Sequence, residues 1–128
     1  MSYYFAKTID ASFEDAIART KAALAERGFG VLSEIDVAAT LKAKLGEDMP
    51  AYRILGACNP RLAHRALQAE PLIGTMLPCN VIVREAAPGR VEIAAVDPIA
   101  SMQAIANSEL AGIARDVQDL LRESVQSI

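Results

Sequence analysis

The feature that most constrains the fold is a β-hairpin embedded in a chain of alternating strands and helices. Residues 79–85 and 90–96 are rich in β-branched side chains, and the segment between them, Ala86-Ala87-Pro88-Gly89, has the composition of a turn. A hairpin joins antiparallel strands, so a purely parallel, doubly wound sheet is not expected. The pattern favours an α+β fold in which helices cover one face of a mostly antiparallel sheet.

Hydrophobic periodicity predicts the other elements around this hairpin. Their order is β-α-β-α-β-α-β-β-α-α, which gives a sheet of about five strands. No linker, internal repeat or low-complexity segment divides the chain, and its 128 residues are a usual size for one domain, so residues 1–128 are expected to form a single domain. The predicted strands are residues 3–9, 29–37, 52–58, 79–85 and 90–96.

Polar residues mark where the predicted helices begin. Ser12, Asp36, Asn59, Asp97 and Asn107 each precede a helical pattern and are expected to cap it. The helix after Asp97 is predicted to run through residue 106. Two helices carry apolar stripes that are expected to be buried, formed by Leu62, Ala63, Ala66 and Leu67 after Asn59, and by Leu110, Ile113, Val117, Leu120 and Val125 in the last helix.

Charge and composition argue against several functional classes. The net charge is −3, from 13 basic and 16 acidic residues, and the basic residues are scattered, so binding to DNA or RNA is not expected. The 7 glycines are dispersed and build no phosphate-binding loop, so nucleotide-dependent chemistry is not expected. We predict no cofactor.

Three further observations bear on location. Residues 1–7 lack the basic and apolar regions of a signal peptide, and no apolar run approaches the roughly 20 residues that span a bilayer. A cytoplasmic protein without a membrane partner is therefore expected. The 2 cysteines are expected to be reduced in that compartment.

The two cysteines stand in mirrored contexts, Cys58-Asn59-Pro60 and Pro78-Cys79-Asn80. Cys58 directly precedes a predicted helix start, where unpaired N–H groups and the helix dipole favour an anion such as a thiolate. The alternative is that Cys58 is a small buried hydrophobic residue, because free cysteine is among the most buried residue types. The same alternative is stronger for Cys79, which shares its strand face with Val81 and Val83.

Strand direction decides whether these cysteines meet. If the third and fourth strands are antiparallel, the end of one lies beside the start of the other, and Cys58 and Cys79 share one rim of the sheet. If the strands are parallel, the cysteines lie at opposite ends. The segment 71–77 is long enough to return the chain across the domain, and we expect the antiparallel arrangement.

The other candidate site residues are His64 and Glu34. His64 lies at the edge of the polar side of its predicted helix, so an exposed surface position is expected, with a ligand role as the alternative. Glu34 and Asp36 project from one strand face and could do acid/base work, but Asp36 is expected only to cap the next helix and Glu34 to be solvated. Two thiols and one histidine do not complete a zinc site, so no metal is predicted.

Several separated motifs, in order along the chain, resemble a known family. They are Ser33-Glu34-Ile35-Asp36-Val37, Ile54-Leu55-Gly56-Ala57-Cys58-Asn59-Pro60 with Ala63 and Leu67, Gly74 through Leu77-Pro78-Cys79, and Val96-Asp97-Pro98. From about Tyr4 to Leu121 the chain resembles the bacterial and archaeal domain of unknown function 302. The resemblance implies an α+β fold related to the TATA-box-binding-protein-like class and a homodimer. It implies no established activity.

Three hypotheses about function follow. The first is a small-ligand-binding or sensing module, with a pocket near Cys58, Asn59, Pro78 and Cys79 and with apolar walls from Met49, Met76 and Leu77. The second is a thiol-based redox or sulfur-handling protein that uses the two cysteines. The third is an interaction protein that forms a homodimer through the last-helix stripe and Tyr3, Tyr4 and Phe5. No catalytic constellation is complete, so no enzymatic activity is assigned.

Overall fold

The computed structural model describes residues 2–128 and has an α+β fold. Its strands and helices follow one another in the predicted order, with one additional 3₁₀ helix at Pro71–Met76. The elements are β1 (Tyr4–Asp10), α1 (Phe13–Glu26), β2 (Gly30–Asp36), α2 (Val37–Leu45), β3 (Tyr52–Cys58), α3 (Pro60–Ala69), β4 (Cys79–Ala87), β5 (Arg90–Val96), α4 (Pro98–Ser101) and α5 (Ser108–Gln126).

The five strands form one sheet in the order β1-β5-β4-β3-β2, and every neighbouring pair is antiparallel. The predicted hairpin is β4–β5. β4 extends two residues further than expected, whereas β5 has the predicted bounds, so only Pro88 and Gly89 remain in the turn. Gly89 has a φ of 75°, which a residue without Cβ adopts at little cost, and the register shifts between Glu85 and Ala87.

Helices α1 and α5 cover one face of the sheet and form the main core. Alternate residues of the strands point into this core, as the two-residue period of a strand requires. The core side of β4 carries Cys79, Val81 and Val83, and the core side of β3 carries Leu55 and Ala57. The Tyr52-Ile54-Gly56 face of β3 is therefore the face away from the helices.

A second, smaller core lies beside the sheet, where α3 and the 3₁₀ helix pack against α5. Its buried residues are Ala66, Ile73, Leu110 and Ile113. The predicted stripe of α3 is only partly buried, because Ala66 alone is enclosed. Leu67 is 43% exposed, so the expectation that the whole stripe is buried is wrong.

The five predicted caps are all present, one at the start of each α-helix. The side chains of Ser12, Asp36, Asn59, Asp97 and Asn107 each accept a hydrogen bond from a backbone N–H in the first turn of the helix that follows. These bonds satisfy donors that have no partner within the helix. The helix starts that position the candidate site are thus set by local sequence.

Two predicted details of the last two helices differ from the structure. Helix α4 ends at Ser101 rather than at residue 106, and in the last-helix stripe Val117 and Leu120 are only partly buried, while Leu121 is buried. Leu121 packs in the main core, whereas Leu120 is only partly buried at its margin.

Within residues 2–128, no helix combines the length and the apolar character needed to cross a membrane.

Candidate functional site

The β3–β4 pairing brings the two cysteines to one end of the sheet. Ala57 is the register partner of Cys79, so the last residue of β3 and the first residue of β4 are close. The predicted antiparallel arrangement of these strands is confirmed. Both cysteines are free thiols, and no disulfide joins them.

An apolar pocket of about 320 Å³ lies at this end of the sheet. Its walls come from the ends of β3 and β4, from α3, from the 3₁₀ helix and from the first half of α5. Cys58, Asn59, Pro78 and Cys79 all line it. Among the residues that the structure describes, no Lys, Arg, Asp or Glu lines the pocket, so its interior matches an uncharged molecule.

The rim of the pocket is also apolar. Leu32, which is 70% exposed, lies where the β2–β3 register shifts between Val31 and Ser33. This irregularity places Leu32 at the pocket, and Leu67 of α3 lines it too. Exposed leucines beside an open apolar pocket form a continuous surface that water solvates poorly.

The two thiols differ in environment. Cys58 is half-buried, whereas Cys79 is only 7% exposed and belongs to the main core. Burial, with a smaller effect from the nearby Cys58, raises the pKa of the Cys79 thiol to about 11. Its thiolate is therefore scarce near neutral pH, which argues against thiol–disulfide exchange that uses both cysteines.

Asn59 has a structural role at the edge of the pocket. Its side-chain oxygen accepts a hydrogen bond of 3.3 Å from the Leu62 N–H, and its Nδ2 donates one of 3.5 Å to the Arg27 carbonyl. The first bond fixes the start of α3, and the second joins that start to the end of α1. The peptide bond between Leu77 and Pro78, two other residues that line the pocket, is cis.

Two candidate residues lie away from the pocket. His64 is exposed on α3 and does not line it. Glu34 also lies outside it, where it accepts hydrogen bonds of 2.7 Å from Lys21 and 3.0 Å from Arg53. The bond from Lys21, with a smaller contribution from Arg53, holds the pKa of Glu34 below its usual value, so this carboxylate is a poor base.

The solvated carboxylate expected at Glu34 is thus part of an ion-pair cluster on the helix-covered face of the sheet. Arg53 is its centre, with Glu14 at 3.3 Å and Asp36 at 3.6 Å as further partners, and its guanidinium lies 5.2 Å from the centroid of the Phe13 ring. The cluster joins α1 to β2 and β3.

The predicted apolar walls need correction. Leu77 lines the pocket as expected, but Met49 and Met76 do not. The methionine that lines the pocket is Met102. Sequence reasoning also missed the contribution of α5, whose Leu110, Ile113 and Val117 face the pocket. Its apolar stripe was visible, but nothing in the sequence showed that part of it faces a pocket rather than a filled core.

Within residues 2–128, no group of three metal-ligating side chains is close enough to hold a metal ion.

Comparisons with known proteins agree with this architecture. The family model of the domain of unknown function DUF302 matches residues 5–128. A crystal structure of an uncharacterized conserved DUF302 protein from Bacillus stearothermophilus is similar, with 28% sequence identity, a TM-score of 0.90 and coverage of 98% of each chain. A search of curated proteins finds no match.

Proposed function

The chain belongs to the DUF302 family, and from that premise we propose that it is a small-ligand-binding or sensing module whose site is the apolar pocket beside Cys58 and Cys79. The observation that carries the proposal is the pocket itself. Protein interiors are normally packed with few voids larger than a water molecule. A pocket of about 320 Å³ that no side chain fills falls in the range typical of ligand sites, about 300–1,000 Å³.

The lining defines the class of ligand. Because no charged residue of the described chain lines the pocket, a charged group placed inside would lose its hydration without compensation. At about 30 Å³ for each water-sized group, the volume admits roughly ten non-hydrogen atoms. The ligand is thus a small aliphatic or otherwise apolar molecule, with any polar group directed to the rim.

A titration with ethyl pentyl ketone, an uncharged aliphatic molecule of suitable size, tests this proposal. Amide resonances of α3 and the first half of α5 are expected to shift saturably in nuclear magnetic resonance spectra. Ala63→Leu adds bulk on the pocket face of α3 and is expected to weaken binding at least tenfold, by roughly 1.4 kcal/mol or more. Gln68→Leu places the same leucine side chain on the exposed side of the same helix, away from the pocket, and is the matched control.

Two results would refute the binding proposal. One is the absence of saturable shifts up to millimolar ketone. The other is equal binding by the Ala63→Leu and Gln68→Leu variants, which would place the ketone elsewhere on the surface.

We further propose that the module acts as a homodimer, through the sheet face that α1 and α5 leave open. Ile35, Ile54, Ile82, Ala94 and Ala6 are successive register partners across all five strands. None of these five side chains is buried. A second copy would cover this apolar row by packing sheet against sheet about a two-fold axis. The last-helix stripe predicted for this contact is unavailable, because Leu110, Ile113 and Val125 are buried in the chain's own cores.

Sedimentation equilibrium at micromolar concentration tests the dimer. Ile35→Lys places a charge on the open face and is expected to shift the equilibrium towards monomer. Leu72→Lys, at a position 75% exposed on the 3₁₀ helix, is the control and should leave the mass unchanged. A monomeric wild-type chain would refute the dimer and leave the binding proposal standing.

A further inference from the structure

Two thiols in unlike environments line the pocket, because Cys58 is half-buried and Cys79 is nearly enclosed. The accessible thiol narrows the class of ligand that the pocket would take. We propose that the pocket captures uncharged apolar molecules bearing an α,β-unsaturated carbonyl group, and that the Cys58 thiol adds to them covalently. This inference rests on the proposed binding function. It adds a chemical step at the same site.

Cys58 is placed to react with a molecule held in the pocket. It is the last residue of β3, it is half-buried, and it lines the pocket. Helix α3 begins two residues later, with Pro60 in its first position. The positive end of that helix stabilises negative charge close to the junction. During the addition, negative charge develops on the ligand oxygen.

Cys79 provides an internal contrast. It lines the same pocket but is nearly enclosed, and its pKa of about 11 keeps it protonated near neutral pH. Only the thiolate is an effective nucleophile. The addition is therefore expected at one thiol of the two.

The pocket lining selects the electrophile. Its apolar walls bind an aliphatic body, and the absence of charged residues along the described lining excludes an ionic one. A thiolate is a soft nucleophile, and a conjugated carbon–carbon double bond is a soft electrophile that is itself uncharged. An unsaturated aldehyde or ketone with a short alkyl tail combines these properties.

The addition balances without a leaving group or a redox partner. The Cys58 sulfur forms a bond to the β-carbon, and the π electrons of the double bond move through the α-carbon to the carbonyl oxygen. The resulting enolate takes a proton from water at the α-carbon. The proton of the original thiol has passed to the solvent, so the net reaction adds S–H across the double bond.

Adduct formation with two ketones measures whether the pocket directs the reaction. Intact-mass spectrometry gives the rates for pentyl vinyl ketone and methyl vinyl ketone, each divided by the rate with free glutathione to remove intrinsic reactivity. The normalised rate is expected to be at least tenfold higher for the pentyl compound, because each fully buried methylene favours binding roughly fourfold. Peptide mapping is expected to place the adduct on Cys58 and not on Cys79.

Two controls test whether binding in the pocket causes the faster labelling by pentyl vinyl ketone. Saturating ethyl pentyl ketone, which cannot react, is expected to slow labelling by pentyl vinyl ketone more strongly than labelling by methyl vinyl ketone. Ala63→Leu is expected to have the same selective effect, and Gln68→Leu to have none. The competition arm uses the wild-type chain, so it decides the question even if a substitution impairs folding.

Equal normalised rates for the two vinyl ketones, or an adduct mainly on Cys79, would overturn the inference. If ethyl pentyl ketone binds but Cys58 shows no such selectivity, the pocket binds ligands without covalent capture, and only this inference fails. If the saturated ketone does not bind at all, the proposed function fails with it.

Discussion

Ala57 of β3 and Cys79 of β4 are register partners on the helix-covered face of the sheet. Because the strands are antiparallel, this pairing places Cys58 and Cys79 at the same end of the sheet. The connection between them packs against α5, through α3 and the 3₁₀ helix Pro71–Met76. The pocket lies between that connection and the sheet, so its position follows from a single strand pairing.

Gly56 is expected to tolerate no side chain. A Cβ at this position would overlap the Ser33 Oγ and lie 2.8 Å from the Pro78 Cγ, which belongs to the pocket wall. Gly56→Ala is therefore expected to lower the free energy of unfolding by about 1–3 kcal/mol in urea denaturation. Gly30→Ala, on β2 with no atom within 4 Å of the new Cβ, is the control and should be neutral or slightly stabilising.

The buried thiol of Cys79 is expected to make stability depend on alkaline pH. Its pKa is raised from 9.0 to about 11 on folding, so the folded state holds the proton more tightly than the unfolded state. The resulting stabilisation is complete below about pH 9 and is lost as pH rises towards about 11, a total of about 2–3 kcal/mol. The measurement is urea denaturation of the wild type and of Cys79→Ala across this range. Parallel pH curves for the two proteins would contradict the prediction.

Asn59 is expected to contribute to stability through both ends of its side chain. Asn59→Ala removes the cap of α3 and the bond to the Arg27 carbonyl, and should cost about 1–2 kcal/mol of unfolding free energy. Asn59→Asp keeps the capping oxygen, loses the donor and adds a negative charge that the helix N-terminus favours, so its cost should be smaller. Thermal denaturation of both variants separates the two contributions. An equal cost would show that the cap itself contributes little.

The Glu34 carboxylate is expected to contribute modestly to stability, and only in its charged form. Its pKa is lowered on folding by Lys21 and Arg53, so its contribution is present above the ordinary value of 4.5 and is lost as pH falls through the lower folded value. Because the pairs are partly exposed, Glu34→Gln should cost no more than about 1 kcal/mol at neutral pH. Denaturation curves at neutral and acid pH should show the difference between the proteins shrinking with acid. A loss of ligand binding in this variant would instead point to a role at the site.

Local sequence was sufficient for the five strands, the starts of the α-helices and their order. Ser12, Asp36 and Asn59 cap helices because their side chains bond to N–H groups within three residues, a distance that depends only on neighbours in the chain. The hairpin and the antiparallel sheet followed from the same kind of local pattern. The 3₁₀ helix Pro71–Met76 was missed because a six-residue segment shows too little periodicity to identify a short helix.

The pocket was only partly foreseeable. Four of its lining residues lie at or next to the ends of two strands, Cys58 and Asn59 at the end of β3 and Pro78 and Cys79 at the start of β4. Predicting that β3 and β4 are antiparallel was therefore enough to place these four residues together. Met102 and the stripe of α5 reach the pocket from more than twenty residues further along the chain. No pattern in the sequence distinguishes an apolar residue that faces a pocket from one that faces a filled core.

The sequence by itself determined the α+β class, the antiparallel hairpin and the helix caps, because each depends on interactions between residues close in the chain. Tertiary structure alone decided that the α3 stripe lines an open pocket, that Cys79 is enclosed while Cys58 is not, and that Glu34 is bound by Lys21 and Arg53. Those outcomes depend on how distant elements pack. Packing fixes which apolar surfaces meet and which charges become neighbours, and neither is encoded in the spacing of residues along one strand or helix.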